Sequence, residues 1–160
     1  MQQVYIGLGS NLSEPKTQIR IAIDSLNALP DTRVMTTSSL YSSSPLGPQD
    51  QPDFVNAVCQ IETRLLPEPL LEALQLIELN QGRVKKRHWG ERLIDLDILV
   101  YGDVEMQSES LTIPHMQLAL RDFVLVPLAE IAPNLDIPGL PALSMMIDDL
   151  DESYLYSLPQ

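Results

Sequence analysis

The spacing of apolar residues predicts alternating strands and helices over roughly the first hundred residues. Residues 4–8 form a short apolar run, residues 54–63 alternate between apolar and polar, and 33–42 is rich in Thr, Ser and Val, which together predict three strands. In 15–29 and 67–81 apolar residues instead recur every three or four positions, which predicts helices. A further apolar run, 92–101, predicts a fourth strand. The predicted order is therefore β-α-β-β-α-β.

This order is typical of a split β-α-β fold. It predicts an α+β, ferredoxin-like βαββαβ core with a mainly antiparallel sheet and helices packed on one face. Beyond the core, a short strand at 110–114 and helices at 123–131 and 142–150 predict a C-terminal extension, followed by an acidic tail. The length of 160 residues fits a single domain, 1–160.

The strand at 92–101 carries two carboxylates within its apolar run. Asp95 and Asp97 are two residues apart, so they share one strand face at a separation of about 6–7 Å. The other face is predicted to be core and consists of Ile94, Leu96, Ile98 and Val100. Carboxylates in this setting need a cation, hydrogen-bond donors or water. The pair could form a magnesium site, because two such carboxylates can bridge two metal ions about 3.5–4 Å apart. Alternatively, the carboxylates could lie on the solvated face of an edge strand.

Positive charge is concentrated just before this strand. Five of the ten Lys and Arg residues lie in 82–92, within a chain of formal net charge −12. This local reversal of sign suits a polyphosphate, because Arg and Lys both bind phosphate oxygens. A solvated basic loop or a nucleic-acid patch is the alternative, although the acidity of the rest of the chain argues against nucleic acid.

Other short motifs limit which nucleotide-binding modes and which metal ions the sequence favours. Gly7-Leu8-Gly9 follows a strand but lacks the third glycine of a dinucleotide-binding fingerprint, and no P-loop is present in the sequence. Neither His88 nor His115 has a His or Cys at zinc-binding spacing, which favours a hard cation bound by oxygen.

The cellular setting follows from the apolar stretches and the single cysteine. No apolar stretch has membrane-spanning length, and the N-terminus lacks the features of a signal peptide, so we expect a cytoplasmic protein without a membrane partner. Cys59 lies in an alternating apolar run and is therefore expected to be a buried core residue rather than a nucleophile.

Several motifs taken together carry a family resemblance across most of the chain. The segments concerned are 9–12, 44–56, 78–83, 87–92, 95–97 and 111–115, with Arg121 and Phe123. In this combination the chain resembles the 6-hydroxymethyl-7,8-dihydropterin pyrophosphokinase family of folate biosynthesis. The resemblance implies that the β,γ-diphosphate of ATP is transferred as a unit to the hydroxymethyl oxygen of the pterin, with release of AMP.

The resemblance also implies a role for individual residues. Two Mg²⁺ ions would be held by Asp95 and Asp97. The implied catalytic residues are Asp95, Asp97, Arg83, Arg92, His115 and Arg121. ATP would be bound by Glu78, Arg83, Trp89, Arg92, Ile98, Thr112, His115 and Arg121. The pterin would be bound by Ser43, Ser44, Leu46, Phe54, Asn56, Asp95 and Phe123. ATP and the pterin are the expected partners, and the protein is expected to be a monomer.

At some positions the chain departs from the commoner family pattern. Phe54 and Met116 stand where relatives often have Tyr, and Lys85 stands where a second loop Arg is frequent. Two other functions stay open on the residues alone. One is a different magnesium-dependent nucleotide phosphotransferase or hydrolase, which would not need Phe54 and Phe123 to clamp a pterin ring. The other is a non-catalytic interaction module of the same fold.

Overall fold

The computed structural model describes residues 1–43, 51–82 and 93–150, together with the backbone of 155–157. The strands are β1 (Gln2–Ser10), β2 (Thr32–Thr37), β3 (Tyr41–Ser43), β4 (Phe54–Thr63), β5 (Asp95–Tyr101), β6 (Met106–Gln107), β7 (Thr112–Ile113) and β8 (Leu155–Ser157). The helices are α1 (Pro15–Asn27), α2 (Pro67–Asn80), α3 (Asp122–Ile131) and α4 (Leu143–Asp148), with a 3₁₀ turn at Leu118–Leu120.

The main sheet is antiparallel at every pairing between the described strands. β1 lies between β5 and β4, while β2 and β3 pair with successive parts of the other edge of β4, and β8 pairs with β3. With α1 joining β1 to β2 and α2 joining β4 to β5, this is the strand order of a ferredoxin-like fold. The predicted α+β class is confirmed. A small second sheet joins β6 to β7.

The helices α1 and α2 cover one face of the sheet. Their apolar stripes pack on inward-facing residues of β1, β4 and β5, as the sequence spacing predicts. Members of this cluster include Val4, Ile6, Leu8, Ile19, Leu26, Ala57, Cys59, Ile61, Leu70, Leu74, Leu96 and Ile98. Cys59 is fully buried, as expected, and burial raises the pKa of its thiol to about 12.

The C-terminal extension covers the opposite face. Its helices α3 and α4 pack on a second cluster that includes Tyr5, Val58, Leu99, Val100, Val124, Leu125, Leu128, Leu143 and Met146. The core helices α1 and α2 thus share one face, as expected, and the helices of the extension lie on the other. The strand β8, which was not predicted, belongs to the same extension.

A β-bulge changes the predicted facing of residues in β5. Tyr5 pairs with Val100 but Ile6 pairs with Ile98, so Leu99 is the extra residue. As a result, Val100 packs in the cluster beneath α3 and α4, whereas Ile98 packs beneath α1 and α2. The prediction that Val100 shares a face with Ile98 is wrong, because strict alternation does not continue through a bulge.

The predicted strand at 33–42 is two strands in the structure, so that prediction is also wrong. Between β2 and β3, the Ser38 backbone N–H donates to the Val58 carbonyl over 2.8 Å, and the Ser38 hydroxyl accepts the Val58 N–H over 2.9 Å. A side-chain oxygen thus replaces a backbone carbonyl in the ladder, which interrupts the strand. Among the described residues, no helix is long and apolar enough to cross a membrane.

Candidate active site

A strip of sheet surface brings three strands together beneath α3. Asp95 in β5 is in register with Gly9 in β1, and Gly9 is in register with Asn56 in β4. Directly opposite residues project from the same face, so the carboxylate and the amide flank a glycine. A Cβ at Gly9 would lie 3.5 Å from Asn56 Oδ1, which confirms this facing. The glycine leaves backbone exposed as a floor on which a flat molecule can lie.

Hydrogen bonding fixes the amide at one end of this strip. Asn56 is 4% exposed, and its Nδ2 donates to the Ser43 hydroxyl over 2.7 Å. This bond directs Nδ2 towards β3, while Oδ1 is the atom closest to the open space above Gly9. Phe54, which pairs with Ser43, also lies within contact of that space. The arrangement suits a polar heterocycle that donates hydrogen bonds at its edge.

Backbone and side-chain contacts orient His115 towards the acidic end of the strip, where Asp95 and Asp97 lie on β5. Its backbone N–H donates to the carbonyl of the bulged residue Leu99 over 3.0 Å. Its Nδ1 accepts the backbone N–H of Gln117 over 3.2 Å, so a neutral ring carries its proton on Nε2. Nε2 lies 4.0 Å from Asp97 Oδ1. His115 therefore presents an N–H donor beside the Asp97 carboxylate.

A half-buried cation, Arg121, lies close to these groups. Burial lowers the pKa of Arg121, whereas the charges of Asp97 and Asp95 raise it. Burial, followed by the charge of Arg121, lowers the pKa of His115, and Asp95 opposes this shift. Gln117 Oε1 accepts a hydrogen bond from Arg121 Nη2. The guanidinium is thus held near both carboxylates, and His115 is favoured in its neutral form.

Arg121 also connects the acidic end to the aromatic side chain predicted to clamp a ligand. Its guanidinium carbon lies 5.4 Å from the centroid of the Phe123 ring, which is within cation–π distance. Phe123 is half-buried at the start of α3 and packs against the cluster beneath that helix. The structure therefore places Phe123 on the same side of the sheet as Asn56.

Three of the residues predicted to bind ATP lie at the outer edge of β5: Glu78, Ile98 and Thr112. Glu78 is 5% exposed and accepts the Leu96 N–H over 2.8 Å. The Leu96 N–H is thus directed away from β1, and by alternation the backbone groups of Ile98 face the same outer edge. The Ile98 side chain is only 2% exposed, so any contact with a nucleotide would use this backbone. Thr112 is half-buried in β7, which packs against β5.

Five predicted site residues fall outside the described residues, and their positions stay predictions: Ser44, Leu46, Arg83, Trp89 and Arg92. Of the remaining ones, those at the strip and its acidic end are Ser43, Phe54, Asn56, Asp95, Asp97, His115, Arg121 and Phe123.

Two features of the site were not found from the sequence. Gln117 bonds both His115 and Arg121 across the 3₁₀ turn at Leu118–Leu120, and no pattern in the sequence indicates these contacts. The motifs at Gly7 and Gly9 indicate only an incomplete nucleotide fingerprint and part of a family resemblance. Their spacing of two within a strand, which puts both on one face, could have indicated an open floor.

The donor set of the site fits magnesium when a phosphate ligand is present. Within the described ranges, no group of three or more His, Cys, Asp or Glu side chains could hold a metal ion by itself. Asp95 and Asp97 supply hard carboxylate oxygens on one face, and the Asp97 side chain is 41% exposed. Magnesium is commonly bound by one or two carboxylates together with substrate phosphates and water. The two carboxylates match that mode.

Comparison with known sequences identifies close relatives. The family model for 7,8-dihydro-6-hydroxymethylpterin-pyrophosphokinase (HPPK) matches residues 5–133. A 2-amino-4-hydroxy-6-hydroxymethyldihydropteridine pyrophosphokinase of Haemophilus influenzae is 49% identical over 158 residues, which cover 99% of each chain. A protein with the same description from Pseudomonas aeruginosa is 51% identical over 138 residues, covering 86% of this chain and 85% of its own length.

Solved structures show the same fold. The wild-type HPPK-DHPS of Plasmodium falciparum with SDX-DHP matches with a TM-score of 0.69 at 14% identity. The match covers 92% of this chain and 43% of that one, so this chain spans less than half of the solved protein. At such low identity the likeness concerns the fold alone.

Proposed function

The chain belongs to the 7,8-dihydro-6-hydroxymethylpterin-pyrophosphokinase family, and from this premise we propose that it transfers the β,γ-diphosphate of ATP to 6-hydroxymethyl-7,8-dihydropterin. The acceptor is the hydroxymethyl oxygen, and the second product is AMP. The observation that carries the proposal is the row Asp95–Gly9–Asn56, which has an amide at one end and a carboxylate at the other. Such a row can hold a heterocycle and its reacting substituent side by side.

The pterin lies over Gly9 in this proposal. Asn56, oriented by Ser43, pairs with the polar edge of the ring, while Phe54 and Phe123 supply flat apolar faces for stacking. Because Phe54 has no hydroxyl, its contribution is packing alone. Backbone groups of Ser43, together with Ser44 and Leu46 from the adjoining loop, complete the pocket.

ATP lies along the outer edge of β5. Its base meets the backbone of Ile98, with Glu78 and Thr112 nearby and Trp89 as a cover. The triphosphate extends to the acidic end of the strip, where His115 donates from Nε2 and Arg121 donates from its guanidinium. Arg83 and Arg92, from the basic segment, add further positive charge.

Asp95 and Asp97 would hold two Mg²⁺ ions between the substrates. When bound, magnesium neutralises the charge that develops around the β-phosphorus and orients phosphate oxygens. The chain's own groups do the positioning: Asn56 fixes the pterin, and Arg121 with His115 fixes the phosphates. A bond forms between the hydroxymethyl oxygen and the β-phosphorus as the bond to the AMP oxygen breaks, and the hydroxyl proton is released to solvent.

The proposal extends to the state of the protein. A single domain, 1–160, would act as a monomer in the cytoplasm, with ATP and the pterin as partners and neither nucleic acid nor membrane. Light scattering at the concentration of the activity assay tests the monomer, since a dimer would double the mass.

Pterin-dependent AMP formation tests the proposed reaction. The protein is mixed with ATP, magnesium and the hydroxymethyl dihydropterin, and AMP and pterin diphosphate are measured together. We expect equal amounts of both, and loss of both with Asp95→Asn or Asp97→Asn. Asp103→Asn is the matched control, because Asp103 is exposed just after the same strand and should leave activity intact.

Two outcomes would support other functions. Release of AMP or phosphate without the pterin would indicate a nucleotide hydrolase. Absence of any product, with magnesium and both substrates present and the protein folded, would indicate a non-catalytic module. Full activity in both Asp95→Asn and Asp97→Asn would contradict the role of the carboxylate pair.

A further inference from the structure

One carboxylate at the far end of α3 receives four hydrogen-bond contacts from the segment that leads into β3. Glu130 Oε1 accepts the Tyr41 hydroxyl over 2.6 Å, and Oε2 accepts the Ser39 hydroxyl over 2.9 Å. The Ser39 backbone N–H donates to both oxygens, over 3.1 and 2.9 Å. The carboxylate therefore ties a helix to a strand that lies 89 residues away in sequence.

The tie lies at the end of the row that forms the proposed pterin site. Tyr41 in β3 is in register with Asn56, so the row Asp95–Gly9–Asn56 continues to Tyr41. The four strands of this row span about 14 Å at the usual strand spacing. Opposite residues share a face, which puts the Tyr41 side chain on the side where α3 packs.

Helix α3 packs over β4 and β3, and the residue that precedes it lies near the carboxylates of β5. Arg121, just before the helix, interacts electrostatically with Asp95 and Asp97 on β5. Glu130, near the end of the helix, bonds Tyr41 on β3. Phe123 lies seven residues before Glu130, which is about 10 Å along a helix. Glu130 thus attaches the far end of the helix to the segment of β3, and Phe123 lies on the same helix, close to its start.

We propose that Glu130 is a positioning residue for the pterin site. By bonding Tyr41 and Ser39, it fixes the distance of α3 from the sheet and thereby the height of the Phe123 ring above the glycine floor. Glu130 touches neither substrate. This inference rests on the proposed function, because it concerns the space between Phe123 and Gly9, where the flat pterin ring is proposed to bind.

Local structure gives such a tie a role. β3 has only three residues and follows the break at Ser38, although it pairs with β4 on one side and with β8 on the other. The contacts of Glu130 add to these short ladders and join β3 to a helix, which the ladders do not do. The contact with Glu130 also affects the ionisation of Tyr41. Burial, the hydrogen bond to Glu130 and the charge of Glu130 together raise the pKa of Tyr41 to about 12.

The test compares pterin affinity with nucleotide affinity in Glu130→Gln and Tyr41→Phe. Each is measured by equilibrium titration, with the pterin added to protein saturated with magnesium and a non-hydrolysable ATP analogue. We expect the pterin Kd to rise about tenfold in each variant, and the Kd of the analogue to stay within about twofold. Glu62→Gln is the matched control, because it breaks the exposed ion pair with Arg33 and should change neither Kd.

A second measurement separates positioning from a general loss of structure. In a Phe123→Ala background the ring is absent, so Glu130→Gln should weaken pterin binding by no more than about twofold. A tenfold loss in that background, an equal loss of nucleotide affinity, or an unchanged pterin Kd in both Glu130→Gln and Tyr41→Phe would overturn the proposal. Tyr41→Phe, which removes one hydroxyl, keeps the test valid if Glu130→Gln does not fold. Failure of the wild-type protein to make pterin diphosphate would instead overturn the proposed function.

Discussion

Substitution of Gly9 by alanine tests the glycine floor of the strip directly. A Cβ at this position would lie 3.5 Å from Asn56 Oδ1, 3.8 Å from Phe54 Cδ1 and 4.0 Å from the Val55 carbonyl oxygen. All three are ordinary van der Waals distances, so the folded protein has room for the methyl group. The same methyl group would project into the space where the pterin ring is proposed to lie.

The expected effects on folding and on binding therefore have opposite signs. Alanine is favoured over glycine within a strand by about 0.5–1 kcal/mol, so the free energy of unfolding should stay constant or rise by up to about 1 kcal/mol. A ring in contact with the backbone must instead move to keep carbon–carbon distances of about 3.5–4.0 Å from the new methyl group. Overpacking of this kind costs about 1–3 kcal/mol, which corresponds to roughly 5–150-fold in affinity.

The assay needs one measurement for each effect. Urea unfolding gives the stability, and titration with the pterin in the presence of magnesium and a non-hydrolysable ATP analogue gives the Kd. Gly7→Ala is the control on the same strand, because its Cβ would lie 3.3 Å from Leu99 Cδ2 and would force that side chain to move. We expect Gly7→Ala to lose stability and to affect pterin binding less than Gly9→Ala does.

Two results would refute this reasoning. If Gly9→Ala binds the pterin within twofold of the wild-type Kd at unchanged stability, the ring does not lie over Gly9. If Gly9→Ala loses several kcal/mol of stability, the space above the strand is not open, and weaker binding could not be assigned to the slot.

The remaining predictions concern the charged groups. Asp97→Asn should raise the magnesium concentration needed for half-maximal AMP formation at least tenfold, measured by titration of the metal at fixed ATP. Because the raised pKa of Tyr41 favours its neutral form in the folded protein, its contribution to stability is present at neutral pH and is lost as the pH rises towards about 12. Ultraviolet titration of Glu130→Gln should find this pKa lowered, with Tyr41→Phe as the reference. In the metal-free protein, NMR titration should give His115 a pKa below its ordinary value, and Arg121→Gln should raise it by removing a neighbouring positive charge.

The shared face of Asp95 and Asp97 could be predicted because it depends only on alternation along one strand. The facing of Val100 could not, since the bulge at Leu99 arises from the pairing of β5 with β1. The break in 33–42 likewise depends on a contact between Ser38 and Val58, which are 20 residues apart. The local spacing of apolar residues is sufficient to predict the strands and helices. Contacts between distant residues determine where β5 and the segment 33–42 depart from that prediction.

In the candidate site, too, local sequence predicts some features and long-range pairing determines the others. Motifs are sufficient to predict the residues at the strip as site residues, but their order along a row depends on strand register, which the sequence alone does not specify. The proposed part played by Glu130 depends on α3 packing over β4 and β3, so that its end reaches Tyr41. An exposed glutamate near the end of a helix carries no sequence signal that indicates such a tie.

The bulge at Leu99 makes chain length, rather than side-chain identity, the sensitive property of β5. Before the bulge, odd-numbered residues face α3; after it, the phase inverts, so that Val100 faces α3 and Tyr101 packs on the other side. Deletion of Leu99 would remove the bulge, while Val100 and Tyr101 could keep their present faces and their pairing with β1. The carbonyl that receives the backbone N–H of His115 would be lost with the deleted residue. A single-residue deletion at this point should therefore be more damaging than replacement of Leu99 by another apolar residue.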